Sequence, residues 1–135
     1  MTETPRLIAI VDDDPYVRNA LGSLLKSSGF ASRAFSSVRD FLASLSEGLP
    51  DCIIIDLHMP GMTWLELQQE LRREETRLPI IIMTGHFDPE LRKQCEAAGA
   101  IAFLPKPPTV DALFAAIDAA CKIRESYMSD GAPRL

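Results

Sequence analysis

Short apolar runs alternate along the chain with segments whose apolar residues return every three or four positions, and no other feature constrains the fold as much. Strands and helices that alternate in this way form βαβ units around a parallel sheet. The expected strands are Leu7 to Val11, Ala31 to Phe35, Cys52 to Ile55, Leu78 to Met83 and Ile101 to Leu104. The third and fourth are apolar throughout, as strands covered on both faces should be.

Each expected helix carries its own start or stop signal. Asp14 as N-cap and Pro15 at the first position open a helix with Val17, Leu21, Leu24 and Leu25 on one face, and Gly29 closes it. A second helix from about Ser37 places Val38, Phe41, Leu42 and Leu45 at helical spacing, and a loop through Gly48 and Pro50 ends it. The turn Met59-Pro60-Gly61 precedes a third helix over Thr63 to Arg73. Asp88-Pro89 repeats the cap signal for a fourth, which Gly99 ends. After Pro105, Pro107 and Pro108, a fifth runs from about Thr109 with Val110, Leu113, Phe114, Ile117 and Cys121 inward.

A chain of 135 residues, 47% apolar and 24% charged, fits one such domain. It is expected over residues 1–125, with 126–135 as a flexible C-terminal tail. The apolar runs are far shorter than the roughly 18 residues a membrane-spanning helix needs. The N-terminal stretch lacks the basic and apolar regions of a secretory signal, so a cytoplasmic location is expected. Cys52, Cys95 and Cys121 form no CxxC or zinc-ligand spacing and read as buried neutral thiols. A net charge of −5 argues against the chain gripping nucleic acid directly, because that binding depends on clustered Lys and Arg.

Ligands of an open parallel sheet bind beyond the carboxyl ends of its strands. Strand one ends in Asp12-Asp13-Asp14, strand three in Asp56, strand four in Thr84-Gly85 and strand five, after a proline, in Lys106. Because all the strands point one way, these residues share an edge. Clustered carboxylates repel by about 1 kcal/mol per pair in water and several in a cleft, so something must offset them. Mg²⁺ fits, since it takes one or two carboxylates together with waters and phosphate oxygens. Asp can act as a nucleophile in phosphoryl transfer, with a Lys and a hydroxyl holding the phosphoryl oxygens.

Ile10-Val11-Asp12-Asp13-Asp14, Ile55-Asp56-Leu57-His58-Met59-Pro60-Gly61-Met62, Met83-Thr84-Gly85-His86 and Phe103-Leu104-Pro105-Lys106-Pro107 together resemble the receiver domain of two-component response regulators. Leu65-Glu66-Leu67 and Thr84-Gly85-His86 are most similar to the FixJ-like subgroup. The resemblance spans about residues 6–123. It implies a single five-stranded parallel sheet of flavodoxin-like (CheY-like) order 2-1-3-4-5, with five helices on its two faces. It also implies that Asp56 accepts a phosphoryl group from a sensor histidine kinase or phosphotransfer protein. Mg²⁺ would be held by Asp13, Asp56 and the backbone carbonyl of His58, with Asp12 acting through a metal-bound water. Lys106 would pair with a phosphoryl oxygen, Thr84 would turn its hydroxyl toward it, and Phe103 would swing between outward and inward positions. The face of helix four, strand five and helix five would then read out the change to a downstream protein target or a DNA-binding output domain, or through a phosphorylation-dependent homodimer. His58 and His86 are positions expected to tune loss of the phosphate.

Each residue also has a plainer reading. Asp14 reads as an N-cap alone, Asp12 and Asp13 as turn carboxylates, Asp56 as the start of a turn, Thr84 as a local hydroxyl-to-backbone turn, Lys106 as an exposed charge and Phe103 as core. Their coincidence at strand ends favours the site. An aspartyl phosphatase is disfavoured because His58 stands where its second carboxylate would be, and a silent docking module is disfavoured by the complete acid, Thr and Lys set. Trp64 departs from the family, which usually has glycine there. If that position required φ > 0, a bulky residue would cost about 1–2 kcal/mol, so a remodelled loop with altered metal access is expected.

Overall fold

The computed structural model describes residues 5–129. Its elements are β1 (Leu7–Val11), α1 (Pro15–Ser27), β2 (Ala31–Phe35), α2 (Val38–Ser44) with a 3₁₀ turn over Leu45–Glu47, β3 (Cys52–Asp56), α3 (Trp64–Arg73), β4 (Ile80–Thr84), α4 (Pro89–Ala97), β5 (Ala102–Pro105) and α5 (Val110–Ser129). All strand pairs are parallel, in the order β2-β1-β3-β4-β5.

Side chains alternate across the sheet and form two cores. On one face Ala9, Val11, Ile53, Ile55, Ile80, Ile82 and Phe103 pack with Val38, Phe41, Trp64, Leu67, Leu71 and Cys95, which come from α2, α3 and α4. On the other, Ile8, Ile10, Ile54, Ile81 and Met83 pack with Leu21 and Leu25 of α1 and Leu113, Ile117 and Cys121 of α5. Burying one such side chain contributes about 1.5–3 kcal/mol. Every residue of β3 and β4 is buried, whereas the edge strand β2 contains none that is.

The capping signals act where the sequence places them. Asp14 and Asp88 each accept a hydrogen bond from the amide two residues on, Tyr16 and Glu90, both at 2.9 Å, with proline at the start of each helix. Thr63 and Glu66 close a reciprocal capping box at the start of α3.

Several expectations shift. β4 begins at Ile80 rather than Leu78, since Pro79 has no amide to donate to a central ladder. β5 starts and ends one residue late, and β3 extends to include Asp56. Helix α5 continues to Ser129, so part of the expected tail is helical, while 130–135 lie outside the described residues. Trp64 is not in a left-handed conformation. It is the first residue of α3 and only 3% exposed, and the positive φ in this loop is Gly61's, at 79°. The expected backbone cost and remodelled loop are therefore corrected. An indole at a helix N-terminus meets no backbone barrier and fills the core beside Met59 and Leu67.

Candidate functional site

Register brings the polar residues into line. Val11 pairs with Ile55, Asp56 with Met83 and Thr84 with Pro105, so the residues at or just after these strand ends emerge side by side at one edge of the sheet. The backbone bonds Asp12 N to Phe35 O (3.1 Å), Leu57 N to Met83 O (2.8 Å) and Lys106 N to Thr84 O (2.8 Å) continue the ladders past the last paired residues.

Asp12 is held tightly. It is fully buried, its Oδ1 accepts from the amide of Asp14 at 2.8 Å, and Arg18 Nη1 of α1 donates to its carbonyl at 2.8 Å. Asp56, 6% exposed, accepts at Oδ1 from the amide of His58 at 3.2 Å. The ammonium of Lys106 lies between the two, 3.1 Å from Asp56 Oδ2 and 2.9 Å from Asp12 Oδ2. Asp13 is exposed at the rim. One carboxylate oxygen from each of Asp12, Asp13 and Asp56 lies within 4.8 Å of the others.

Buried Asp12 Oδ2 has no hydrogen-bond partner, although Lys106 is within ion-pairing distance. The geometry is that of charge proximity without an aligned donor. Burial pushes the Asp12 carboxyl above its ordinary range. The Asp14 amide and Lys106 pull it down only in part, and the charge of Asp56 adds to the rise. For Lys106, burial alone would lower the ammonium's pKa. The hydrogen bond to Asp56 and the negative charges of Asp12 and Asp56 outweigh burial and raise it. Three converging carboxylates with an orphaned, desolvated oxygen are a hard, oxygen-only donor set, and they fit a small divalent cation.

Thr84 is fully buried, and its hydroxyl is engaged within its own loop. It donates to His86 O and accepts from His86 N, both at 3.1 Å. This local turn is the plainer of the two readings for Thr84. Phe103 is inward, 4% exposed, with the Phe87 ring edge-on at 5.7 Å. The His58 contact at the site is its amide on Asp56, and the His58 and His86 side chains are exposed. Sequence reading missed Arg18 and Phe87. Arg18 lies one turn into an amphipathic helix, and nothing local marks it as a partner for the Asp12 carbonyl. Phe87 sits in a polar loop, and its partner is sixteen residues away on another strand.

A family model described as the response regulator receiver domain matches residues 8–118. The chain is 36% identical over 135 residues to the response regulator protein TodT of Pseudomonas putida, covering all of this chain and 59% of that one. It is 36% identical over 118 residues to the transcriptional regulatory protein FixJ of Bradyrhizobium diazoefficiens, covering 87% and 58%. It therefore spans a little over half the length of these curated relatives. Among solved structures it is similar to FixJ-N, with 32% identity, a TM-score of 0.79 and 89% and 96% of the two chains covered. It is also similar to the response regulator StyR, with 34% identity, a TM-score of 0.80 and 94% and 64% covered.

Proposed function

The chain belongs to the response regulator receiver domain family, a class of signalling switches, and on that premise we propose that Asp56 accepts a phosphoryl group from a phosphohistidine on a sensor histidine kinase or phosphotransfer protein. The observation that carries this reading is Lys106 Nζ at 3.1 Å from Asp56 Oδ2, beside a buried Asp12 oxygen that lacks a hydrogen-bond partner. An Asp56 carboxylate oxygen forms the new bond to phosphorus as the bond from phosphorus to the donor imidazole breaks, and the imidazole leaves neutral, its departing nitrogen taking a proton from solvent. Asp12, Asp13, Asp56 and the His58 carbonyl would hold Mg²⁺, which when bound neutralises charge on the phosphoryl oxygens.

Lys106 is already placed to follow its partner oxygen from carboxylate to acyl phosphate, and its raised pKa keeps it cationic at neutral pH. Thr84 would release the His86 carbonyl and donate to a phosphoryl oxygen instead. Phe103 would respond in β5, and the α4, β5 and α5 face would carry the change to a downstream protein, to a DNA-binding output segment or to a second copy of the chain. A cytoplasmic location suits such a partner set. No helix among the described residues is long and apolar enough to cross a membrane.

Intact-protein mass after incubation with Mg²⁺ and a small-molecule phosphodonor tests the proposal. One phosphoryl adduct is expected, abolished by Asp56→Ala and by a chelator. An adduct that survives Asp56→Ala, or no adduct with the native chain, overturns it.

A further inference from the structure

The edge of the sheet remote from Asp56, where the strands begin, carries a second cluster of reactive groups that the phosphoryl chemistry does not use. Cys52 opens β3, and Cys121 lies midway along α5. Both are free thiols in the same core, 0% and 2% exposed. Contacts at the strand starts draw charged residues around them. The Asp51 amide donates to Leu7 O at 2.7 Å and its Oδ2 accepts from Leu7 N at 2.8 Å, which fixes the start of β1 beside the start of β3. Arg6, one residue earlier, reaches α5 and pairs with Glu125 at 2.6 Å, one turn beyond Cys121. Strand pairing and ion pair together bring Arg6 against the Cys121 sulfur, and Cys121 faces Cys52 between helix and sheet.

Core cysteines are ordinarily inert because burial disfavours the thiolate. Cys95 follows that rule, since burial pushes its thiol up. Cys121 departs from it and from the neutral state expected for all three thiols. The Cys52 thiol draws its pKa below the ordinary value against burial, and the Arg6 cation adds to the fall while the Asp51 charge opposes it. Cys52 is pushed up, by Cys121 and by burial. The pair is asymmetric, one sulfur poised as thiolate and the other held as thiol. Arg6 also sets access. Its side chain is 41% exposed and that of Glu125 60%, and an ion pair so exposed is weakly held, so the arginine can swing aside and admit a small oxidant.

We propose that Cys121 and Cys52 form a peroxide-oxidisable pair at the opposite edge of the sheet from Asp56, with Cys121 the attacking sulfur and Cys52 the resolving one. The Cys121 thiolate attacks one oxygen of hydrogen peroxide, the O–O bond breaks, and the hydroxide released takes a proton and leaves as water. Cys52 then attacks the sulfenic acid at Cys121. It gives up its proton as the S–S bond forms and the S–O bond breaks, releasing a second water. Overall two thiols lose two electrons and one peroxide is reduced to two waters. The disulfide ties α5 to the start of β3 and closes a long loop of chain, which stiffens the seat of the helix on the sheet.

The test treats the full chain with hydrogen peroxide, then alkylates and peptide-maps it. Mg²⁺ and phosphodonor are left out, so the result is independent of the chemistry at Asp56. The expected product is a Cys52–Cys121 cross-link lacking two hydrogen atoms, reversed by dithiothreitol and raising Tm, with Cys95 still alkylated. Cys121 is expected to react about 10-fold or more faster than Cys95, as the thiolate fractions require. Cys52→Ser is expected to stop at a sulfenic acid on Cys121, trapped by dimedone. Arg6→Ala, a surface change that leaves the core intact, should slow oxidation severalfold near neutral pH, and Arg6→Lys should restore most of the rate. No cross-link, or oxidation of Cys95 as fast as Cys121, overturns the pair. Faster oxidation in Arg6→Ala would make the arginine a cover alone and overturn Cys121 as an activated sulfur.

Discussion

Two loops at the same sheet edge are built in opposite ways. The β1–α1 loop is fastened from several directions. The Asp12 amide reaches Phe35, its carboxylate takes the Asp14 amide and approaches Lys106, its carbonyl takes Arg18, and Asp14 caps the helix that follows. The β4–α4 loop is exposed from Gly85 to Asp88 and is held by one turn folded on itself, one helix cap and one pair of aromatic rings. A site that gathers negative charge must hold its carboxylates against mutual repulsion, and dense bonding supplies that preorganisation. A part that must respond has to possess a second arrangement close in free energy, and sparse bonding supplies that.

The largest effect is expected at Trp64, the buried first residue of the helix that follows the Asp56 loop at this same edge. It is buried in one core with Met59 and Leu67, just after the loop that delivers the His58 amide to Asp56. Trp64→Gly is expected to cost about 3–5 kcal/mol in denaturant unfolding, because it opens a large cavity. A loss below 1 kcal/mol would return Trp64 to a surface role.

Next in size is Asp12→Asn, which should stabilise the cation-free chain by about 1 kcal/mol while weakening Mg²⁺ binding, since it removes a buried charge with an unpartnered oxygen. The effect depends on pH. Burial raises the Asp12 pKa above its unfolded value, so between those two values the native chain binds more protons than the unfolded one. Stability of the cation-free native chain therefore falls as pH rises through that interval, and Asp12→Asn lacks the fall. Unfolding curves across the acid range without Mg²⁺ check it, and identical pH slopes would contradict it.

Two cap variants of similar size sharpen the contrast between the loops. Asp14→Ala and Asp88→Ala remove caps of equal length, and each should cost about 1 kcal/mol by chemical denaturation. Only Asp14→Ala should also lower Mg²⁺ affinity, read from the fluorescence of Trp64, because the backbone amide at 14 holds Asp12 Oδ1. Equal affinity in the two variants would mean that the fastened loop does not depend on its cap.

Much of the molecule was legible because its signals are local. Asp14-Pro15 and Asp88-Pro89 announce helices through bonds made within two residues, and β2 was bounded correctly from Ala31 to Phe35 by pattern alone. Asp12, Asp13, Asp56, Thr84 and Lys106 could be assembled because parallel strands put their carboxyl ends together. The order of those strands came from family resemblance rather than from periodicity. Trp64 was misread because a pattern position carries no φ angle, and the left-handed backbone went to Gly61 three residues earlier.

By itself the sequence determined the alternation of strand and helix, the caps and the set of polar side chains gathered at one edge. These follow from periods of two and 3.6 residues and from bonds that span a single turn. Tertiary structure alone decided that Asp12 is buried with an orphan oxygen while Asp13 stays at the rim, that Lys106 bridges two carboxylates, and that Phe87 meets Phe103. Those outcomes depend on register and desolvation between residues far apart in the chain. They are set only when neighbouring strands lock side by side and water leaves the space between them.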